Sequence, residues 1–129
     1  MTLYVLDTST LIDFTNRREP VTSRIDAMLE GGDRVFICAV AIAELVTGFS
    51  EAQLAMWWPL IRRFGYHATT REAASQAGRD RHRFARQGQA ISVTDALIAA
   101  AARELDAILV TDNLRHFPMT DIQTLSLRG

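Results

Sequence analysis

Short runs of β-prone residues, Leu3 to Leu6, Arg34 to Cys38, Ala107 to Thr111 and Ile122 to Leu127, punctuate a chain whose longer intervals read as helix. That alternation constrains the fold more than any other feature. Strands joined through helices need crossover connections, and these build a mainly parallel sheet with helices on both faces. A brief extended segment at Gly65 to Ala68 is a further candidate strand. The expected architecture is therefore α/β and three-layered, with four to five strands in the central sheet. Ligand sites in such sheets lie at the carboxyl ends of the strands.

The helical intervals carry their own start and stop signals. Asp7-Thr8-Ser9 offers capping residues ahead of Leu11, Ile12 and Phe14. Pro20 opens and Gly31-Gly32 ends a helix from Val21 to about Glu30. Ala39 to Phe49 reads as a third helix. Glu51 to about Phe64 reads as a fourth, with Leu54, Trp57, Trp58 and Ile61 on its apolar side and Pro59 as a kink or break. Thr69-Thr70-Arg71-Glu72 caps a helix running to about Arg86, closed by Gly88, and an Ala-rich helix spans Ser92 to Leu105.

With 129 residues, 48% of them hydrophobic and 22% charged, the chain is sized and composed as one folded domain, residues 1–129. All 14 basic residues are Arg. The absence of Lys excludes a G-x-x-x-x-G-K phosphate loop, a Schiff-base Lys and the Lys that phospho-acceptor receiver domains use beside their acids. A single cysteine, Cys38, forbids an intrachain disulfide and, within an apolar strand, reads as core packing. No apolar run approaches the ~18 residues of a membrane span, and the start has no basic leader. The expected location is the cytoplasm, with no membrane association.

Several carboxylates fall where that sheet would place a site. Asp7 stands where the first strand passes into a helix. Glu44 lies in Ala39-Val-Ala-Ile-Ala-Glu-Leu-Val46, apolar on every side, which predicts a buried carboxylate needing an Arg or a metal ion as partner. Asp95 follows Ser92-Val-Thr94 in the first turn of the Ala-rich helix, where the helix dipole favours negative charge. Asp112 and Asn113 come directly after a strand. Each position has an ordinary explanation in capping or turn chemistry. Their conjunction at one sheet edge is what argues for a site, because unneutralised acids brought together are kept where a cation resolves the repulsion. Oxygen ligands without His or Cys favour Mg²⁺ or Mn²⁺, and His67, His82 and His116 lack zinc spacing.

A divalent ion held by a few carboxylates suits phosphate-ester cleavage, since it activates water and offsets charge building on phosphorus. No G-x-S-x-G elbow or Cys/His pair offers a covalent alternative. A phosphodiester substrate also calls for local positive charge. Arg79, Arg81, Arg83 and Arg86, just ahead of the Asp95 helix, form the candidate RNA-binding patch, with Arg62, Arg63 and Arg115 as extensions and Phe84 or Phe117 for stacking.

These residues resemble a known family. Val5-Leu-Asp-Thr-Ser9 with Leu11-Ile12, Ala41-Ile-Ala-Glu-Leu45 with Gly48, Ile91-Ser-Val-Thr-Asp-Ala-Leu-Ile98, and Leu109-Val-Thr-Asp-Asn113 leading to His116-Phe117 are together similar to PIN-domain ribonucleases, specifically VapC-type toxins of toxin-antitoxin modules. The resemblance implies a PIN-like fold over nearly the whole chain and a Mg²⁺-dependent endoribonuclease. By it, Asp7, Glu44 and Asp95 match the acidic metal positions, with Thr8 and Thr111 as polar supports. The fourth position is shared between two candidates: Asp112, a catalytic acid candidate one residue early, and Asn113, neutral but at the offset the family commonly uses. The resemblance further implies a homodimer, single-stranded or loop RNA as substrate, 5′-phosphate products, and inhibition by a VapB-type antitoxin that inserts a segment into the cleft. The rival readings are a PIN-like module that binds RNA or protein without cutting, and a Mg²⁺-dependent phosphatase. The latter is disfavoured because Ser9 stands where an aspartyl-nucleophile enzyme usually has a second Asp.

Overall fold

The structure, a computed structural model, describes residues 1–128, so Gly129, the last residue of the expected domain, lies outside the described residues. Those residues form five strands, β1 (Leu3–Leu6), β2 (Arg34–Cys38), β3 (Gly65–His67), β4 (Ile108–Val110) and β5 (Thr124–Leu125), in one sheet of order β3-β2-β1-β4-β5. All four pairings are parallel, as the crossover argument requires. On β1, Val5 and Leu6 point to opposite faces and both are fully buried, and Val35 to Cys38 are buried without interruption. A sheet whose strands are buried on both faces must be covered by helices on each, which completes the three layers.

Six helices supply that cover: α1 (Thr8–Thr15), α2 (Val21–Glu30), α3 (Ala39–Thr47), α4 (Glu51–Ile61), α5 (Arg71–Ala85) and α6 (Val93–Leu105). The helix signals read from sequence correspond to real caps. Ser92 accepts from the Asp95 amide and Thr70 from that of Ala73, and Ser50, which the sequence reading did not single out, forms a reciprocal capping box with Gln53. Along α6, Ala96, Ala99, Ala100, Ala101 and Ala102 are buried together with Ile98, and their small side chains let this helix close on β1 and β4.

Several boundaries differ from expectation. Pro59 does not break α4, which runs on to Ile61. It stands near the end of the helix, and Arg62 still donates its amide to the Trp58 carbonyl. Trp57 is buried, whereas Trp58 is exposed, since residues one apart on a helix face directions about 100° apart. The last two strands are shorter than the β-prone runs that contain them, ending where the ladder bonds end.

Candidate active site at the carboxyl edge of the sheet

Register brings the first two site residues together. Leu6 pairs with Val110 in adjacent parallel strands, the Asp7 amide donates to the Val110 carbonyl at 3.1 Å, and the Thr111 amide donates to the Leu125 carbonyl at 2.9 Å. Asp7 and Thr111 thus leave neighbouring strands side by side. The Thr111 hydroxyl donates to Asp7 Oδ2 at 2.5 Å. As N-cap of α1, Asp7 also accepts from the Thr10 amide at 2.8 Å and from the Ser9 hydroxyl at 3.1 Å. Asp7 is only 3% exposed, and the donors to its carboxylate are hydroxyls and an amide.

Glu44 arrives from α3, which starts as β2 ends, and accepts from the Thr8 hydroxyl at 2.5 Å. The expectation that Glu44 is buried is corrected: it is exposed. Helix α3 buries Ala41 and Leu45, and Glu44 lies on the side turned to the first turn of α1 and to solvent. Asp95, in the first turn of α6, is half-buried and stands 3.3 Å from His116 Nδ1. Burial is the main force pushing its carboxyl above the usual range. The charges of Asp7 and Glu44 add to that, while a hydrogen bond from Ser92 and the nearness of His116 oppose it. The three acids therefore act on one another electrostatically although they come from three separate elements.

Asp112 is placed otherwise than expected. Along the extended turn after β4, alternate side chains face opposite ways. Thr111 faces Asp7, Asn113 returns to that side with its amide nitrogen donating to Ser9 Oγ at 3.1 Å, and Asp112 points away between them. Asp112 accepts from the Ser126 hydroxyl and pairs with Arg128 Nε at 2.6 Å. The structure thus joins Asp7, Glu44, Asp95, Thr8, Thr111 and Asn113 in one region and leaves Asp112 outside it. Ser9, Thr10 and His116 are the site neighbours that the sequence reading did not assign. For Ser9, its place two residues after Asp7 in a capping turn was the available signal.

The basic stretch on α5 is only partly free. Arg81 Nε donates to the Ile91 carbonyl at 2.8 Å and so fastens the α5–α6 turn. Arg83 lies over the Phe84 ring at 4.6 Å, and Arg79 bonds Ser75 and Gln76. Phe84 and Phe117, expected to stack on bases, are both buried, because they fill the core. Cys38 is likewise buried, and burial pushes its thiol up, away from a reactive thiolate.

Among the described residues, no Arg pairs with Asp7, Glu44 or Asp95, so nothing of opposite fixed charge neutralises the acids. Nor do three His, Cys, Asp or Glu side chains among them close into a ready cage for an ion. An open set of hard oxygen donors is the arrangement suited to Mg²⁺ or Mn²⁺, which keep several waters and take few protein ligands.

Comparison with known proteins gives the family to which this fold belongs. The PIN domain family model matches residues 4–121. This chain belongs to the PIN domain family. Ribonuclease VapC19 of Mycobacterium tuberculosis is 31% identical over 116 residues, covering 89% of this chain and 92% of that one. The tRNA(fMet)-specific endonuclease VapC of Shigella flexneri is 32% identical over 122 residues, 91% of each chain. In structure, DNA-bound VapBC from Salmonella typhimurium superposes with a TM-score of 0.84 at 28% identity, covering 98% of this chain and 99% of that one. Within the family, this PIN domain is a VapC-type ribonuclease.

Proposed function

We propose that this PIN domain is a Mg²⁺- or Mn²⁺-dependent endoribonuclease whose metal is held by Asp7, Glu44 and Asp95. The observation that carries the proposal is the convergence of these three acids, from α1, α3 and α6, with no Arg to neutralise them. A divalent ion at such acids supplies Lewis acidity toward a phosphodiester and makes water available as the nucleophile. The chain's own groups prepare the site: Thr111, Ser9 and the Thr10 amide orient Asp7, Thr8 orients Glu44, and Ser92 with His116 flanks Asp95. Each acid thereby presents its oxygens in a set direction before any ligand arrives.

Arg79 and Arg83, exposed on α5, and Arg86, exposed directly after it, serve as the phosphate-gripping surface for single-stranded or looped RNA. Arg81 contributes less, since it is tied to a backbone carbonyl beyond the helix, whereas Arg79 and Arg83 bond only side chains of α5 itself.

The physiological role is the toxin of a toxin-antitoxin pair, acting in the cytoplasm as a homodimer. Support comes from the relatives, one of which is a DNA-bound VapBC. A second support is an open, apolar groove of about 940 Å³ between α3 and α4, lined by Ile42, Val46, Leu54, Trp58 and Tyr66, which a VapB-type antitoxin would cover. Among the described residues no helix is long and apolar enough to cross a membrane.

The test is cleavage of a 5′-labelled stem-loop RNA with Mg²⁺, with Mn²⁺ and with EDTA. Cleavage that stops in EDTA and in Asp7→Asn and Asp95→Asn proteins is the expected result. Undiminished cleavage in EDTA would overturn the metal assignment.

A further inference from the structure

Arg128 carries no sequence signal of its own, yet it joins the two segments that build the site. Its Nε stands 2.6 Å from Asp112 Oδ2 and 3.1 Å from Asp13 Oδ2, and its Nη2 also bonds Asp13. Asp13 is a buried residue of α1, the helix whose first turn carries Asp7, Thr8, Ser9 and Thr10. Asp112 is the middle residue of the corner Thr111-Asp112-Asn113. On either side of it, Thr111 bonds Asp7 and Asn113 bonds Ser9, while the Asn113 amide donates back to Thr111 Oγ1 at 3.0 Å.

We infer that Arg128 is a positioning residue for the active site: by bridging Asp112 to Asp13 it holds the Thr111–Asn113 corner in register with the first turn of α1. The inference rests on the nuclease reading, and it assigns Asp112 the part of an anchor rather than a ligand. One guanidinium serving two carboxylates fixes direction as well as distance, because its donors lie in a rigid plane. Without it the corner retains the Ser126 hydroxyl on Asp112 and the hydrogen bonds it makes to Asp7 and Ser9. None of these ties Asp112 to α1. The loss therefore falls on orientation at the site. Asp13 meanwhile keeps Arg18, whose Nη1 lies at 2.8 Å, so Arg128→Ala leaves no buried acid unpaired and the protein folds.

The experiment compares the full chain with Arg128→Ala and Arg128→Lys in kcat, KM, thermal midpoint and the ¹⁵N NMR signals of Asn113. In Arg128→Ala we expect kcat to fall about tenfold, the typical effect of losing a group that supports a metal-site ligand, with KM and thermal midpoint close to wild type. The Asn113 backbone and side-chain amide signals shift, and Arg128→Lys recovers part of kcat. A rise in KM at unchanged kcat would mean that Arg128 grips substrate, and unchanged Asn113 signals would mean that it does not hold the corner. Either result overturns the inference. If wild-type protein cuts no RNA with any divalent ion, the nuclease reading fails instead, and the Asn113 signals still report whether Arg128 holds the corner.

Discussion

Thr111 donates its hydroxyl to Asp7 Oδ2 at 2.5 Å, joining two residues 104 apart in sequence that each leave one of two adjacent parallel strands. Both are almost fully buried, so the bond is made out of water and its loss is not repaired by solvent. Thr111→Val keeps the shape and removes the hydroxyl, leaving Asp7 short of a donor and the Asn113 amide short of an acceptor. We expect a loss of roughly 1–3 kcal/mol in unfolding free energy, measured by urea titration, together with a drop in RNA cleavage. Thr111→Ser retains the donor and should restore most of both.

Asp95 permits a prediction on stability and pH. A carboxyl raised in the folded state binds its proton more tightly there than in the unfolded chain. It therefore lowers stability once pH climbs past the ordinary carboxylate range, and costs nothing well below it. In the absence of divalent ions, Asp95→Asn should raise the thermal midpoint at neutral pH and lose that advantage in acid. Adding Mn²⁺ should invert the order, because an ion binding only the folded wild type at a hundred times its Kd stabilises by about 2.7 kcal/mol. Equal responses of the two proteins to Mn²⁺ would remove Asp95 from the ligand set.

How much of this was legible in the sequence depended on whether a residue's role is local. The parallel sheet was legible because buried strands are continuous apolar runs, and Asp7 and Asp95 because strand ends and helix caps leave short sequence signatures. Glu44 was picked out on the expectation of burial, yet it is exposed and finds its place through Thr8, 36 residues earlier. Asp112 and Asn113 hinged on which way an extended turn pleats after Val110, which a one-residue offset inverts. Arg128 had no local signal at all, since its partners are 115 residues back at Asp13 and at Asp112.

Away from the site, Asp80 on α5 is buried and pairs with Arg103 of α6 at 3.2 Å, and Arg103 also bonds Asp121 through Nε at 2.6 Å. Asp121 holds the Arg103 guanidinium charged and aligned, and Arg103 in turn holds the Asp121 carboxyl below the usual carboxylate range. Truncating Arg103 to Ala would leave Asp80 with the neutral Gln76 amide at 3.0 Å and, as its nearest cation, the more distant Arg83 at 3.7 Å. Breaking a buried pair from one side costs about 3 kcal/mol, so Arg103→Ala should unfold well below wild type in a thermal scan. Mn²⁺ affinity at temperatures where it is folded should be unchanged, because this ion chain touches none of the three site acids.

The remaining prediction concerns the basic face of α5. Arg79, Arg81, Arg83 and Arg86 are all exposed, but Arg81 is tied to the Ile91 backbone carbonyl, whereas Arg79 and Arg83 bond only side chains of α5. If Arg79, Arg83 and Arg86 grip phosphates, each replacement by Ala should weaken RNA binding and reduce the slope of log K against log salt by roughly 0.7, the release of one counterion from a single strand. Arg81→Ala should act differently, loosening the turn that leads into α6 and lowering stability while leaving the salt slope nearly intact. The measurement is RNA affinity by fluorescence anisotropy across a salt series with the catalytically impaired Asp7→Asn protein, which separates binding from cleavage. Identical slopes for wild type and the Arg79/Arg83/Arg86 triple variant would move the RNA path off α5, leaving Arg62, Arg63 and Arg115 as the arginines to test.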